Sequence, residues 1–132
     1  MVASATPLAY SGRKATKILV TVVETPSSLR RAEKLLSEDE RFAVVNLVAE
    51  DPECGNLMRG TGGVRRVRIA REGGGKSGGY RVVYFFHDPG MPLYLLALFA
   101  KSGKVNLTTA ECNQLRVLTT RLVKQYRGGK DD

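Results

Sequence analysis

Seven cations stand within residues 59–81 of this chain, Arg59, Arg65, Arg66, Arg68, Arg71, Lys76 and Arg81, against a single acid, Glu72. In Val64-Arg-Arg-Val-Arg-Ile-Ala70 bases alternate with aliphatics, which suits a strand, where successive side chains face opposite ways. Arg66 and Arg68 then share a face, Val67 and Ile69 point to the other, and Arg65 goes with the apolar set. Arg81 opens the next strand across the Gly-rich run 71–79, where it can converge with Arg66 and Arg68. Lys101 closes a further strand, and Lys104 follows it. Cations on several strands can line a phosphate chain, because a guanidinium's planar fork matches phosphate oxygens. The competing reading is a solvated basic face that keeps the protein soluble.

Other chemistries find little support. Ala70-Arg-Glu-Gly-Gly-Gly-Lys76-Ser77 imitates a nucleotide-binding loop, but such a loop needs a helix after it to present its N-terminus to phosphate. Here Tyr-Arg-Val-Val-Tyr-Phe-Phe follows, a strand. One histidine, His87, excludes a paired-histidine ribonuclease mechanism, and its place beside a turn suits a surface role. Cys54 and Cys112 make neither a disulfide framework nor a four-ligand zinc site, so free thiols are expected, the second in a helix core. No metal or cofactor is expected.

The elements that must position the cations are legible in outline. The chain has 132 residues, is 42% hydrophobic and carries a net charge of +8, enough for one core in one domain. The charge is uneven. Residues 54–127 hold thirteen bases and three acids, whereas 24–53 hold four bases and eight acids. That asymmetry points to a polyanionic partner, nucleic acid first. The longest apolar run, 93–100, is too short to span a bilayer, and the first sixteen residues lack an apolar signal region. A cytoplasmic domain is expected.

Residues 17–24 read as a β-branched strand. Thr25-Pro26 offers an N-cap and a first-turn proline, and Leu29, Ala32, Leu35 and Leu36 recur at helical spacing. Ser37-Glu-Asp-Glu40 is a capping box, opening a second helix with Phe42, Val45, Val48 and Ala49 on one face and an end at Asp51-Pro52. Strands follow at 64–70, 80–87 and 93–101, with a turn at Asp88-Pro89-Gly90, and the apolar last strand suits a centre covered on both faces. Thr108-Thr-Ala-Glu111 caps a final helix with Cys112, Leu115, Leu118 and Leu122 inward. The order β-α-α-β-β-β-α is α+β, because strands cluster and do not alternate with helices. Residues 1–16 and 128–132 are expected to be disordered, flanking one domain at 17–127.

Three segments in order carry a resemblance: Gly60-Thr-Gly-Gly-Val-Arg-Arg-Val-Arg-Ile-Ala70, Gly75-Lys-Ser-Gly-Gly-Tyr-Arg-Val-Val-Tyr-Phe-Phe86 and Leu93-Tyr-Leu-Leu-Ala-Leu-Phe-Ala-Lys101. Together they resemble the RelE/ParE superfamily of bacterial toxin–antitoxin toxins, nearest the HigB-like branch. The likeness extends from about Lys17 to about Lys124. It implies two N-terminal helices and a C-terminal helix packed on a small antiparallel sheet. It also implies a ribosome-dependent mRNA endonuclease, neutralised by a helix-turn-helix antitoxin whose complex with the toxin meets operator DNA, and no membrane partner.

By the same resemblance Arg66 and Arg68 are the paired strand cations, Arg81 contacts the scissile phosphate, and Lys101 lies in the basic segment closing the last strand. These four form the implied catalytic set. Arg59, Arg65, Arg71, Lys76, Tyr80 and Lys104 are expected to bind RNA. The segment Ala100-Lys-Ser-Gly-Lys104 departs from the relatives' usual Ala-Lys-Asn-Glu-Lys, and Leu107 stands near where some of them carry a tyrosine. RNA can be cut by its own 2′-hydroxyl, so fixed cations that stabilise the phosphorane suffice without a metal. A lysine among like charges can also be tuned towards a base. Two rivals share the fold: a ParE-like inhibitor of DNA gyrase, and a non-catalytic RNA- or ribosome-binding module.

Overall fold

The computed structural model describes residues 2–4, 20–70, 79–100 and 107–131. In chain order the elements are β1 (Val2–Ser4), β2 (Val22–Glu24), α1 (Pro26–Leu35), α2 (Glu38–Glu50), β3 (Asn56–Leu57), β4 (Val64–Ile69), β5 (Tyr80–Phe85), β6 (Leu93–Ala100) and α3 (Thr109–Asp131).

Local chemistry sets the helix starts. Thr25 caps α1, its hydroxyl accepting from the Ser28 N–H at 3.4 Å, with Pro26 in the first turn. Ser37 and Glu40 form a reciprocal capping box on α2, at 3.1 and 2.9 Å. Glu38, Asp39 and Glu40 place negative charge at its positive end. Thr108 and Glu111 repeat the box on α3.

The sheet runs β1-β2-β6-β5-β4-β3. The α+β class holds, with one departure: β2 pairs with β6 in parallel, so the sheet is mixed. A parallel pair needs a crossover, and α1 and α2 supply part of it. Strand and helix also reach into both segments expected to be disordered. Val2–Ser4 pair with β2, giving its outer edge a ladder partner, and α3 runs through Gly128 to Asp131.

β6 lies between β2 and β5 and is covered on both faces, as its apolar run requires. On one face Tyr80, Val82, Tyr84, Leu95 and Leu98 meet Ala32 of α1 and Val44, Val45, Val48 and Ala49 of α2. On the other, Val64, Val83, Phe85 and Tyr94 meet Leu115, Leu122, Val123 and Tyr126 of α3. Phe42 was expected inward but is 58% exposed. Apolar residues run almost all round α2, so periodicity could not choose its buried stripe. Val44 completes that stripe and leaves Phe42 about a quarter turn from its centre. Likewise Leu118 is partly exposed, and Thr119 takes the buried position on α3.

A glycine makes the Thr119 position possible. In the turn before β4, Gly62 has φ +81°, and a Cβ there would sit 2.4 Å from the Thr119 hydroxyl oxygen. That hydroxyl lies 3.1 Å from both the Thr61 and Arg116 carbonyls, donating between turn and helix. Gly62→Ala is expected to cost about 3 kcal/mol, combining overpacking with left-handed backbone strain. Adding Thr119→Ala should recover only the steric part, which urea denaturation of both variants will measure.

Tyr84 is fully buried. Its hydroxyl donates to the Pro52 carbonyl at 2.7 Å and accepts from the Gly55 N–H at 2.9 Å, tying β5 to the α2–β3 connection. Burial pushes its phenol well above the ordinary tyrosine range, and that of Tyr94 up as well. The unfolded chain then releases these protons first. Stability is therefore full below the ordinary tyrosine value of about 10 and is lost as pH rises beyond it. Tyr84→Phe should cost about 1–3 kcal/mol at pH 8, since it leaves the buried Gly55 N–H unpaired. Its decline above pH 10 should be shallower, so urea midpoints of wild type and variant converge in alkali.

Candidate functional site

Register decides which cations meet. β4 and β5 are antiparallel with Arg68 directly opposite Arg81, Arg66 opposite Val83 and Arg65 opposite Tyr84. Directly opposed residues share a face. Arg66, Arg68 and Arg81 therefore stand together on the α3 side of the sheet, at its end near the β4–β5 connection. Arg68 is exposed, and Arg66 and Arg81 are half-buried. The expected convergence of these three residues holds.

The remaining candidates divide. Arg65 lies on the opposite face, where its guanidinium donates to the Gly55 carbonyl at 2.8 Å and faces the Glu53 carboxylate at 3.9 Å. It braces the α2–β3 connection against β4 and does not join the three arginines. Tyr80 is 4% exposed within the α1/α2-side core, so its ring offers no open stacking surface. Strand parity sent it opposite to Arg81. Arg59 is exposed in the Gly-rich turn before β4, on the side where Gly60 approaches Cys112 of α3. Lys101, Lys104, Arg71 and Lys76 lie outside the described residues. Lys101 follows directly on Ala100, which pairs with Tyr80 at the same end of the sheet.

Beside the three arginines a cleft of about 480 Å³ opens between the sheet and α3. Val83, Ala97 and Phe99 line it from the sheet, Leu107, Leu115 and Leu118 from the α3 side, with Glu111 and Gln114 polar on the helix. Phe99 is directly opposite Arg81 and so shares its face. The cross-strand row reads Arg68, Arg81, Phe99. Sequence reading missed Phe99, because its run of aliphatics looks like plain core and its register against Arg81 is set by long-range pairing.

The other polar features are structural. His87 Nε2 lies 3.4 Å from Asp88, which also pairs with Arg127 of α3 and accepts from the Gly90 N–H at 2.7 Å. This anchors the β5–β6 turn to the helix. Cys54 lies 3.7 Å from the Tyr84 hydroxyl, and burial pushes its thiol up, away from reactivity. Among the described residues no three His, Cys, Asp or Glu side chains converge, and no helix is long and apolar enough to cross a membrane.

A family model for the RelE toxin of RelE/RelB toxin–antitoxin systems matches residues 38–128. That span takes in β4, β5, β6 and most of α3, and with them the three arginines. Among solved structures, a double arginine-to-alanine mutant of Escherichia coli toxin RelE in the free state superposes with a TM-score of 0.51. It is 18% identical, and the match covers 77% of this chain and 97% of that one. At that identity the likeness is one of fold.

Proposed function

The chain belongs to the RelE toxin family of RelE/RelB toxin–antitoxin systems, and from that premise we propose that it is an endoribonuclease that cuts mRNA on the ribosome. An antitoxin partner goes with the family. The HigB-like branch, the ribosome, the helix-turn-helix form of the antitoxin, its operator DNA and a cytoplasmic site of action belong to the proposal. The observation that carries it is the convergence of Arg66, Arg68 and Arg81 on one sheet face beside an open cleft.

The reaction needs little beyond positioned charge. The 2′-oxygen loses its proton and bonds to the adjacent phosphorus, the bond from phosphorus to the 5′-oxygen breaks as that oxygen takes a proton from solvent, and a 2′,3′-cyclic phosphate and a 5′-hydroxyl remain. Negative charge builds on the non-bridging oxygens in between. Guanidinium groups already fixed on strands stabilise that charge without reorganising at the moment of reaction. Arg81, opposite Arg68 and on the same face as Arg66, is assigned to the phosphorane. Lys101 is the proposed proton acceptor from the 2′-hydroxyl, a role that requires its neutral form. Arg59, Arg71, Lys76 and Lys104 are assigned to the RNA backbone, where neutralising one should flatten the salt dependence of binding by about one counterion.

Expression without the cognate antitoxin tests the reading. Growth should arrest, with translated mRNAs cut within codons. Intact mRNA together with cleaved DNA would place the target at gyrase, and intact mRNA and DNA together with ribosome association would leave a non-catalytic binding module. The lysine assignment has its own check: Lys101→Ala should lower the saturated single-turnover rate, and Lys76→Ala should act mainly on binding. The reverse pattern would move the base into the β4–β5 connection.

A further inference from the structure

Helix α1 carries a second group of cations beside the proposed site. Arg30, Arg31 and Lys34 are exposed around a concave surface of about 400 Å³. None of the three forms an ion pair among the described residues. The Arg31 guanidinium lies over the Phe99 ring, 5.6 Å from its centroid. Phe99 stands directly opposite Arg81, and Arg81 directly opposite Arg68. Read across the strands and over the β6 edge, the row is Arg68, Arg81, Phe99, Arg31. Each strand step is about 4.8 Å.

We propose that this row is the track of the substrate strand: RNA held at Arg81 continues over β6 onto α1, where Arg31 binds a phosphate neighbouring the cleaved one. A single strand alternates phosphate and base, and here a ring lies between two cations. Phe99 offers its cleft-facing side to the intervening base, a contact that tolerates any sequence because every base has a flat π-face. Arg31 stays placed by resting on the ring. Arg30 and Lys34 extend the positive surface along the helix, where the backbone leaves the site. Among the described residues β2 pairs only with Leu93–Leu95 of β6, and no strand lies beside β6 at Phe99 on that edge. An acidic protein segment would suit the charges but gives no reason for the ring between them. This extension rests on the nuclease reading.

The test is single-turnover cleavage on ribosomes programmed with an mRNA fragment, over a range of concentrations of the full chain. One uncharged methylphosphonate linkage is placed in turn on either side of the cleaved phosphate. On the all-phosphate fragment, Arg31→Ala should raise the half-saturating concentration about tenfold. One of the two neutral linkages should impose the same loss on wild type, and on that fragment Arg31→Ala should lose nothing further. Phe99→Leu, verified as folded, should weaken binding in a way that an abasic nucleotide at the neighbouring position abolishes. An equal loss for Arg31→Ala on every fragment would mean that α1 grips ribosomal RNA or protein, and would overturn the track. No loss at all would overturn it too. If wild type cuts no fragment and Arg81→Ala associates with ribosomes as wild type does, the nuclease reading itself falls, a result distinct from either.

Discussion

Arg81→Ala is expected to slow single-turnover cleavage at saturation by roughly 150-fold, a loss of about 3 kcal/mol of transition-state stabilisation comparable to removing one preorganised oxyanion donor. The geometry makes the prediction specific. Arg81 sits one residue into β5, opposite Arg68 and on the same face as Arg66, so its truncation removes the one charge that β5 contributes to the group. The core residues of β5 on its other face, Val82 and Tyr84, are untouched, and the thermal midpoint should shift little. Arg65→Ala is the contrasting variant. Its guanidinium holds the Gly55 carbonyl on the opposite face, so it should lower stability and leave the cleavage rate of folded protein near wild type. Normal cleavage by Arg81→Ala, or a rate collapse in folded Arg65→Ala, would remove the three-arginine face from the chemistry.

The largest expected stability effect lies away from the site, at the ion pair joining β2 to α2. Glu24 is 2% exposed and accepts two hydrogen bonds from the Arg41 guanidinium, at 2.9 and 2.8 Å. That hydrogen-bonded contact raises the Arg41 pKa further above its ordinary value. Arg41→Met keeps the aliphatic stem but leaves the carboxylate buried without its guanidinium. Breaking a buried pair from one side costs about 3–5 kcal/mol, a large share of a small domain's total stability. Urea denaturation at pH 7 should show the loss. A loss below about 1 kcal/mol would show that the pair behaves as a surface contact.

Much of the architecture was readable along the chain because its signals are local. A capping box is three residues long, and Ser37–Glu40 and Thr108–Glu111 marked the starts of α2 and α3 for that reason. Strand parity has a period of two, which separates Arg66 and Arg68 from Arg65 without knowledge of any partner. The three quoted motifs carried the family likeness for the same reason. Pairing by β1 and the length of α3 depend on what the rest of the fold leaves open to them, and no local signal records either.

Tertiary structure decided whatever depends on which strands are neighbours and in what register. Arg81 opposite Phe99, and Phe99 beneath Arg31, bring together residues far apart in the chain, and no local period records such pairings. Counting charge along the chain also hid the α1 cations, because residues 24–53 are acidic in sum. In the fold, Glu24 is buried against Arg41 and Glu38, Asp39 and Glu40 cap α2, so Arg30, Arg31 and Lys34 face outward from an acidic segment. Sequence alone determined which residues could bind phosphate and which way each strand would turn them. Packing determined which of them share a surface, because a field belongs to charges adjacent in space and not to charges adjacent in the chain.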